Sequence, residues 1–380
     1  MPEPLKLMYN RSFLQDFSAK VKSAYPPFQD ADFVTDVLDG DWEELELKTR
    51  MRRISIILGR YLPEPFTEAL DILYRIDESC VGFPYLFFPD FVEVHGQAEY
   101  DFDSALDALE RFTSKSSSEF AIRVFLLRDP KRTMVRMLHW ANSDNEHVRR
   151  LASEGCRPRL PWGQALPIFK ADPTPVLEIL EKLKADSSLY VRKSVANNLN
   201  DIAKDNPALV KQTARNWYGT HPLTDWIVRR GCRSLLKKAD SEILSLFGYS
   251  SSQSHTNEAL ITEASLQIRP QACSIGGETE LHFKLQARSG EPVRIRVEYA
   301  IDFVKASGRA SRKLFMLADR TLDGGALLSG TRRHRFADLT TRKHYPGLHR
   351  IVLLVNGQEY AEDFMTLEPE HTETITNESN

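Results

Sequence analysis

The sequence is poor in cysteine, has no long apolar run, and lacks the glycine-rich loops that hold nucleotide phosphates. Each shortage removes a class of protein. The four cysteines, Cys80, Cys156, Cys232 and Cys273, stand far apart with no CxxC pair and no HxxxH spacing, so neither a disulfide framework nor a zinc site is indicated. Without GxGxxG or GxxxxGK[ST], a nucleotide-cofactor enzyme has little support, and neither a metal nor an organic cofactor is expected. No apolar stretch approaches the roughly 18 residues of a membrane span. The opening MPEPLKLMYNRSFL also lacks the charged, apolar and small-residue order of a signal peptide, so a cytoplasmic protein is expected.

What is present is enough for a full core. The chain has 380 residues, 42% hydrophobic and 27% charged, which predicts two domains. Its net charge of −3 hides a segregation: residues 1–116 carry −10, residues 117–240 carry +9 and residues 241–380 carry −2. A local excess of that size can neutralise a phosphate backbone even in a slightly acidic protein. Charge alone is equally consistent with a solvated helical surface.

From Leu5 to about Phe247 apolar residues recur at helical spacing, as in Met51, Ile54, Leu58 and Leu62. Breaks fall at prolines and capping residues, including Asp129-Pro130, Pro158 to Pro161, Asp172-Pro173, Asn206-Pro207 and His221-Pro222. Three helices open on related phrases, HVRRL from His147, YVRKS from Tyr190 and IVRRG from Ile227, with the valines 43 and then 37 residues apart. That period is close to HEAT or armadillo-like helix pairs, which stack into a curved solenoid. Each repeat then offers a basic dyad, Arg149-Arg150, Arg192-Lys193 and Arg229-Arg230, at an equivalent place. Scattered surface charge does not predict such equivalence, and an anion-binding groove does.

The stretch 249–258 is Ser-rich and without periodicity, and reads as a linker. After it the period changes to two: Val293, Ile295, Val297, Tyr299, Ile301 and Phe303 alternate with polar residues. About seven such runs, with a hairpin turn at Asn356-Gly357, predict an immunoglobulin-like sandwich over 259–368. Arg332 and Arg333 are a candidate second DNA contact on it; a charged, protected strand edge explains them equally well. The acidic tail 369–380 reads as disordered.

The densest polar constellation runs from Arg149 to Gly163: RRLASEGCRPRLPWG. Glu154 lies one helical turn after Arg150, the spacing of an ordinary surface ion pair. Trp162 is explained as readily by packing. Read together, they are a carboxylate and an indole inside a positive stretch that includes Arg157 and Arg159, and both groups favour cations. Glu119, in the helix start SSEFAIR, and Asp201, after the asparagine-rich SVANNLN, are further acids of the basic region, and helix capping accounts for either one singly. The clustered asparagines predict a polar, ligand-facing helix surface.

At these residues the sequence resembles the bacterial HEAT-like alkylbase DNA glycosylases, in the AlkC branch rather than AlkD. The resemblance is carried by SSEFAIRVFLLRDP (117–130), HVRRLASEGCRPRLPWG (147–163) and VRKSVANNLNDIAKDNP (191–207), within a helical domain of residues 1–248. An immunoglobulin-like C-terminal domain also occurs in this branch. The resemblance implies hydrolysis of the N-glycosidic bond of cationic alkylated bases, such as 3-methyladenine and 3-methylcytosine, in double-stranded DNA, without flipping the base into a deep pocket and leaving an abasic site. It implies catalytic or lesion-contacting roles for Glu119, Glu154 and Asp201, with Trp162 beside the lesion. A bacterial, nucleoid-associated monomer is expected. The alternative is a non-enzymatic HEAT-repeat module that binds DNA lesions or serves as a protein scaffold.

Overall fold

A computed structural model describes residues 4–250, 259–339 and 342–370. The linker core and the acidic tail beyond residue 370 lie outside them. Among the described residues sixteen α-helices are followed by eight strands, and contacts divide the chain into two units, Met1–Cys232 and Arg233–Asn380. That division falls earlier than the 249–258 linker, because the short helices Arg233–Lys237 and Ser241–Leu246 lead into a segment bonded to the sandwich: Ser250 N donates to Arg294 O at 3.0 Å and Tyr249 Oη to Asp319 at 2.7 Å.

From Asp129 on, helices in the first unit start where the sequence supplies a capping side chain, or a pyrrolidine ring in place of an unneeded N–H. Asp129 accepts from Arg132 N with Pro130 at the first position, Asn145 accepts from His147 N, and Ser188 accepts from Tyr190 N. The three dyad helices, Glu146–Gly155, Leu189–Asp205 and Pro222–Gly231, stack side by side with Leu189–Asp205 in the middle. The valines Val148, Val191 and Val228 are all buried, but only the first two dyads lie near the start of their helices; Arg229-Arg230 fall in the last turn of Pro222–Gly231, which corrects the expectation that all three helices open on a dyad. The two outer helices end on glycines pressed against a neighbour: a Cβ on Gly155 would stand 2.6 Å from Ile122 Cγ2, and one on Gly231 2.7 Å from Leu199 Cδ2.

The N-terminal part of this unit is held by an aromatic core. Phe17 packs edge-on to Phe87 at 4.8 Å between ring centroids, and Phe33 and Phe88 join at 6.1 and 6.0 Å. Helix Leu47–Tyr61 lies against helix Phe87–His95 and carries Lys48 at its start.

In the second unit β1 (Ile261–Arg269), β3 (Glu278–Ala287) and β6 (Leu327–Arg335) form one sheet in the order β1-β3-β6. The other sheet has the order β2-β8-β7-β4-β5, from β2 (Ala272–Ser274), β4 (Val293–Val304), β5 (Ala310–Leu322), β7 (Gly347–Val355) and β8 (Gln358–Glu368). The alternating residues of β4 are all buried, as their period requires. Asn356 and Gly357 take positive φ, 47° and 80°, in the turn joining β7 to β8. Strand β2 is absent from the runs legible in the sequence.

Candidate active site

The acids singled out in the sequence converge on one ladder of charges. Arg150 Nη2 contacts Glu119 Oε2 at 2.7 Å and Glu154 Oε1 at 3.6 Å. Arg157 Nη1 contacts the same Glu154 oxygen at 2.7 Å, and its Nε and Nη2 each contact Asp201 Oδ2 at 2.8 Å. Lys204 closes the row on Asp201 Oδ1 at 2.9 Å. The order Glu119, Arg150, Glu154, Arg157, Asp201, Lys204 therefore alternates in sign across residues spread over 119–204. The helical spacing of Arg150 and Glu154 is thus the weaker link of the two that each makes.

This ladder is mostly sheltered: Glu154, Arg157 and Asp201 are 6%, 6% and 2% exposed. Burial alone disfavours the charge on Arg150, but Glu119 and Glu154 outweigh it and hold the guanidinium above its ordinary range. Arg157 is raised in the same way, with Glu154 and Asp201 overcoming desolvation. Each carboxylate is consequently held in one orientation by a cation that cannot discharge at neutral pH.

A cavity of about 750 Å³ opens over one side of this row. Glu119, Glu154, Arg150 and Arg157 line it together with Trp162, Tyr190 and His147, while Leu47, Met51, Val81 and Phe83 form an apolar flank. Asp201 is not among the lining residues and reaches the cavity through Arg157. Trp162 is 66% exposed and has φ of 62°, so its indole is presented by a backbone conformation that few side chains adopt. Tyr190 packs against Arg150, whose guanidinium carbon lies 4.6 Å from the ring centroid.

The loop bearing Trp162 rests on Arg123, a residue present in the sequence phrase but given no role there. Arg123 is 1% exposed and donates to the carbonyls of Gly155, Arg157 and Gln164 at 2.8, 2.9 and 2.5 Å. Buried with no carboxylate bonded to it, the guanidinium is pushed down to about 10 by desolvation. Its three carbonyl bonds could have been anticipated only from the three-dimensional arrangement.

The dyads divide into two kinds of residue. Arg149 donates to Ser143 O and Asp144 O, both at 2.9 Å, and grips Asp186 at 2.6 Å; Arg192 donates to Asp186 O and Ser187 O, both at 2.7 Å. The first arginine of these two dyads fastens the loop before its own helix. The second residue differs: Arg150 enters the ladder, whereas Lys193 and Arg230 are exposed. Arg229 lies over Tyr218 at 5.2 Å, and Arg159 pairs with Asp205 at 2.6 Å while remaining partly exposed.

In the second unit Arg333 binds Glu280 at 2.8 Å on the neighbouring strand β3, and Arg332 is exposed on the same edge strand β6. The asparagine expectation is corrected at Asn198: it is buried, and its amide donates to Ser153 O at 2.8 Å, joining two dyad helices instead of facing a ligand. Among the described residues no cluster of three metal-ligating side chains occurs, and no helix is long and apolar enough to cross a membrane.

Residues 113–235 match the family model of DNA alkylation repair enzymes, and residues 262–369 match that of the C-terminal immunoglobulin-like domain of the uncharacterised protein YhaZ. The chain is 46% identical to uncharacterised protein YhaZ of Bacillus subtilis (strain 168), over 93% of this chain and 96% of that one. It is also similar to a solved structure, the Pseudomonas fluorescens alkylpurine DNA glycosylase AlkC bound to DNA containing an abasic site analog. That match has 39% identity and a TM-score of 0.91, over 96% of this chain and all of the other.

Proposed function

The chain belongs to the bacterial HEAT-like alkylbase DNA glycosylase family, in its AlkC branch, and from that membership we propose that it excises cationic alkylated bases from double-stranded DNA. The proposed substrates are 3-methyladenine and 3-methylcytosine, and the product is an abasic site. The observation that carries this reading is the placing of Glu119 and Glu154 on one wall of a cavity, fixed by Arg150 and Arg157, with the exposed indole of Trp162 on the same cavity.

The chemistry asks for such a wall. Alkylation at ring N3 gives the base a positive charge and makes it a good leaving group, so a strong general acid is unnecessary. As the bond breaks, positive charge moves to the sugar, whose transition state is oxocarbenium-like. A carboxylate about 4 Å from that charge supplies on the order of 4 kcal/mol at an effective dielectric near 20. Arg150 and Arg157 cancel part of this attraction but remove the need for the acids to reorganise as charge develops, which is where preorganised electrostatics acts. In this proposal Glu154 is the principal stabiliser, Glu119 assists it or orients water, and Asp201 holds Arg157. Trp162 packs on the lesion nucleotide at the cavity mouth, so that the base need not be drawn into a deep pocket. Phosphates are held by exposed cations of the dyad helices, Lys193 and Arg230, with Arg159, paired to Asp205, as a further cation.

Incubation with methylated duplex DNA, followed by identification of the free bases, tests the reaction. Glu154→Gln should lower the single-turnover rate on the order of 10²–10³-fold with little change in DNA affinity. Near-normal release of 3-methyladenine by that variant would remove Glu154 from the mechanism, and binding without release by the native protein would make it a lesion sensor.

A further inference from the structure

We infer that Lys48, from the acidic N-terminal third, is a positioning residue of this site: its ammonium holds the Trp162 carbonyl and so keeps the indole presented to the cavity. The inference rests on the reading of the site given above. Lys48 Nζ donates to Trp162 O at 2.7 Å, across 114 residues of chain.

Trp162 needs such a hold. Its φ of 62° lies in the left-handed region, where Cβ crowds the backbone and only glycine and a few polar residues sit at ease. The loop around it is fastened on either side, but by bonds that do not reach Trp162 itself. Arg123 takes the carbonyls of Gly155, Arg157 and Gln164, and Gly163 N closes a turn on Leu160 O at 3.1 Å. At the residue with the unfavourable backbone, the charged bond comes from Lys48. The bond is charge-assisted, and because both residues are exposed, solvent screens part of its strength, which sets the modest size of the effect expected below.

Lys48 is itself placed for this task. It stands on the first turn of helix Leu47–Tyr61, which the neighbouring aromatic core holds in place, and both it and Leu47 line the cavity. Its ammonium lies 4.7 Å from the centroid of Phe120, the residue after Glu119. One cation thus touches both the loop that bears the indole and the segment that bears the first acid. A positive charge at the rim of a site for cationic bases would otherwise oppose binding; spending it on a carbonyl and a ring face reduces that opposition.

The experiment is a double-mutant cycle of Lys48→Met and Lys48→Arg in the native and Trp162→Ala backgrounds. It is read by single-turnover base release, by the salt dependence of affinity for duplex DNA, and by tryptophan emission of the free protein. The Trp162 component is taken as the difference from Trp162→Phe. Lys48→Met is expected to slow release about tenfold, to leave the salt slope unchanged, and to shift the Trp162 emission; Lys48→Arg is expected to restore the rate and the emission. In the Trp162→Ala background Lys48→Met should have no further effect. Additive losses with a salt slope reduced by about one would make Lys48 a phosphate contact and overturn the inference. So would an unshifted emission, or a lowered melting temperature that Lys48→Arg fails to restore. The emission arm needs no DNA: if the native protein releases no methylated base, the glycosylase reading fails while the clamp is still decided.

Discussion

Arg149 and Lys193 occupy the same kind of dyad, yet their surroundings give them opposite consequences on substitution. Arg149 serves two carbonyls and the buried carboxylate of Asp186. Arg149→Ala should therefore cost about 2–4 kcal/mol of stability, seen in urea unfolding, and leave the salt slope of DNA binding unchanged. Lys193 is exposed, so Lys193→Ala should reduce that slope by about one and move stability by no more than about 0.5 kcal/mol. The reverse pattern would show that the dyads bind DNA through their first residue. The repetition of the dyads was legible in the sequence because both the period and the residue type recur. The division of labour was not, since it depends on the loop carbonyls that each helix start happens to face. Glu154 and Trp162 were legible through a long, unusual phrase and Glu119 through a separate one, whereas Lys48 sits in ordinary helical sequence and became visible only when the fold brought it to Trp162.

At the scale of elements, the helix Glu146–Gly155 carries two of the six ladder residues, Arg150 and Glu154, and its last residue sets how closely it approaches its neighbours. An added methyl at Gly155 would meet Ile122 Cγ2 at 2.6 Å and Met137 Cε at 3.2 Å. Gly155→Ala should destabilise the protein by about 1–3 kcal/mol and, because Glu154 is the adjacent residue, also slow base release; thermal melting and single-turnover rates check the two effects. Unchanged melting would mean that the neighbouring side chains absorb the methyl. Helix starts were predictable because proline and capping oxygens act locally. Strand β4 was predictable because a half-buried strand has to alternate. Strand β2 has only three residues, with none fully buried, so no period exists to detect. The asparagines misled for a related reason: Asn198 satisfies a backbone carbonyl on a neighbouring helix, and such a partner leaves no mark on the local sequence.

For the whole molecule, acid should weaken the sandwich. His334, His344 and His349 are buried around Phe303 and Phe336, each with Nε2 unbonded in the structure. Burial, aided by nearby Arg342, pushes His334 down from 6.5 to about 4, and burial also lowers His349. A depressed histidine favours the fold fully while neutral in both states, above about pH 6.5, and that contribution falls as pH drops toward 4, by about 3 kcal/mol for His334 alone. Calorimetric melting of the full chain between pH 7.5 and 4 should show the sandwich transition moving down; a flat profile would contradict this. The ladder of alternating charges bears on how the site can change over generations. An interior rung such as Glu154 or Arg157 answers to two charged partners, so replacing it alone strands a charge on either side. Viable descendants then differ by paired exchanges, and the end rung Lys204, with a single ladder partner and no part in the proposed chemistry, is the one free to drift singly.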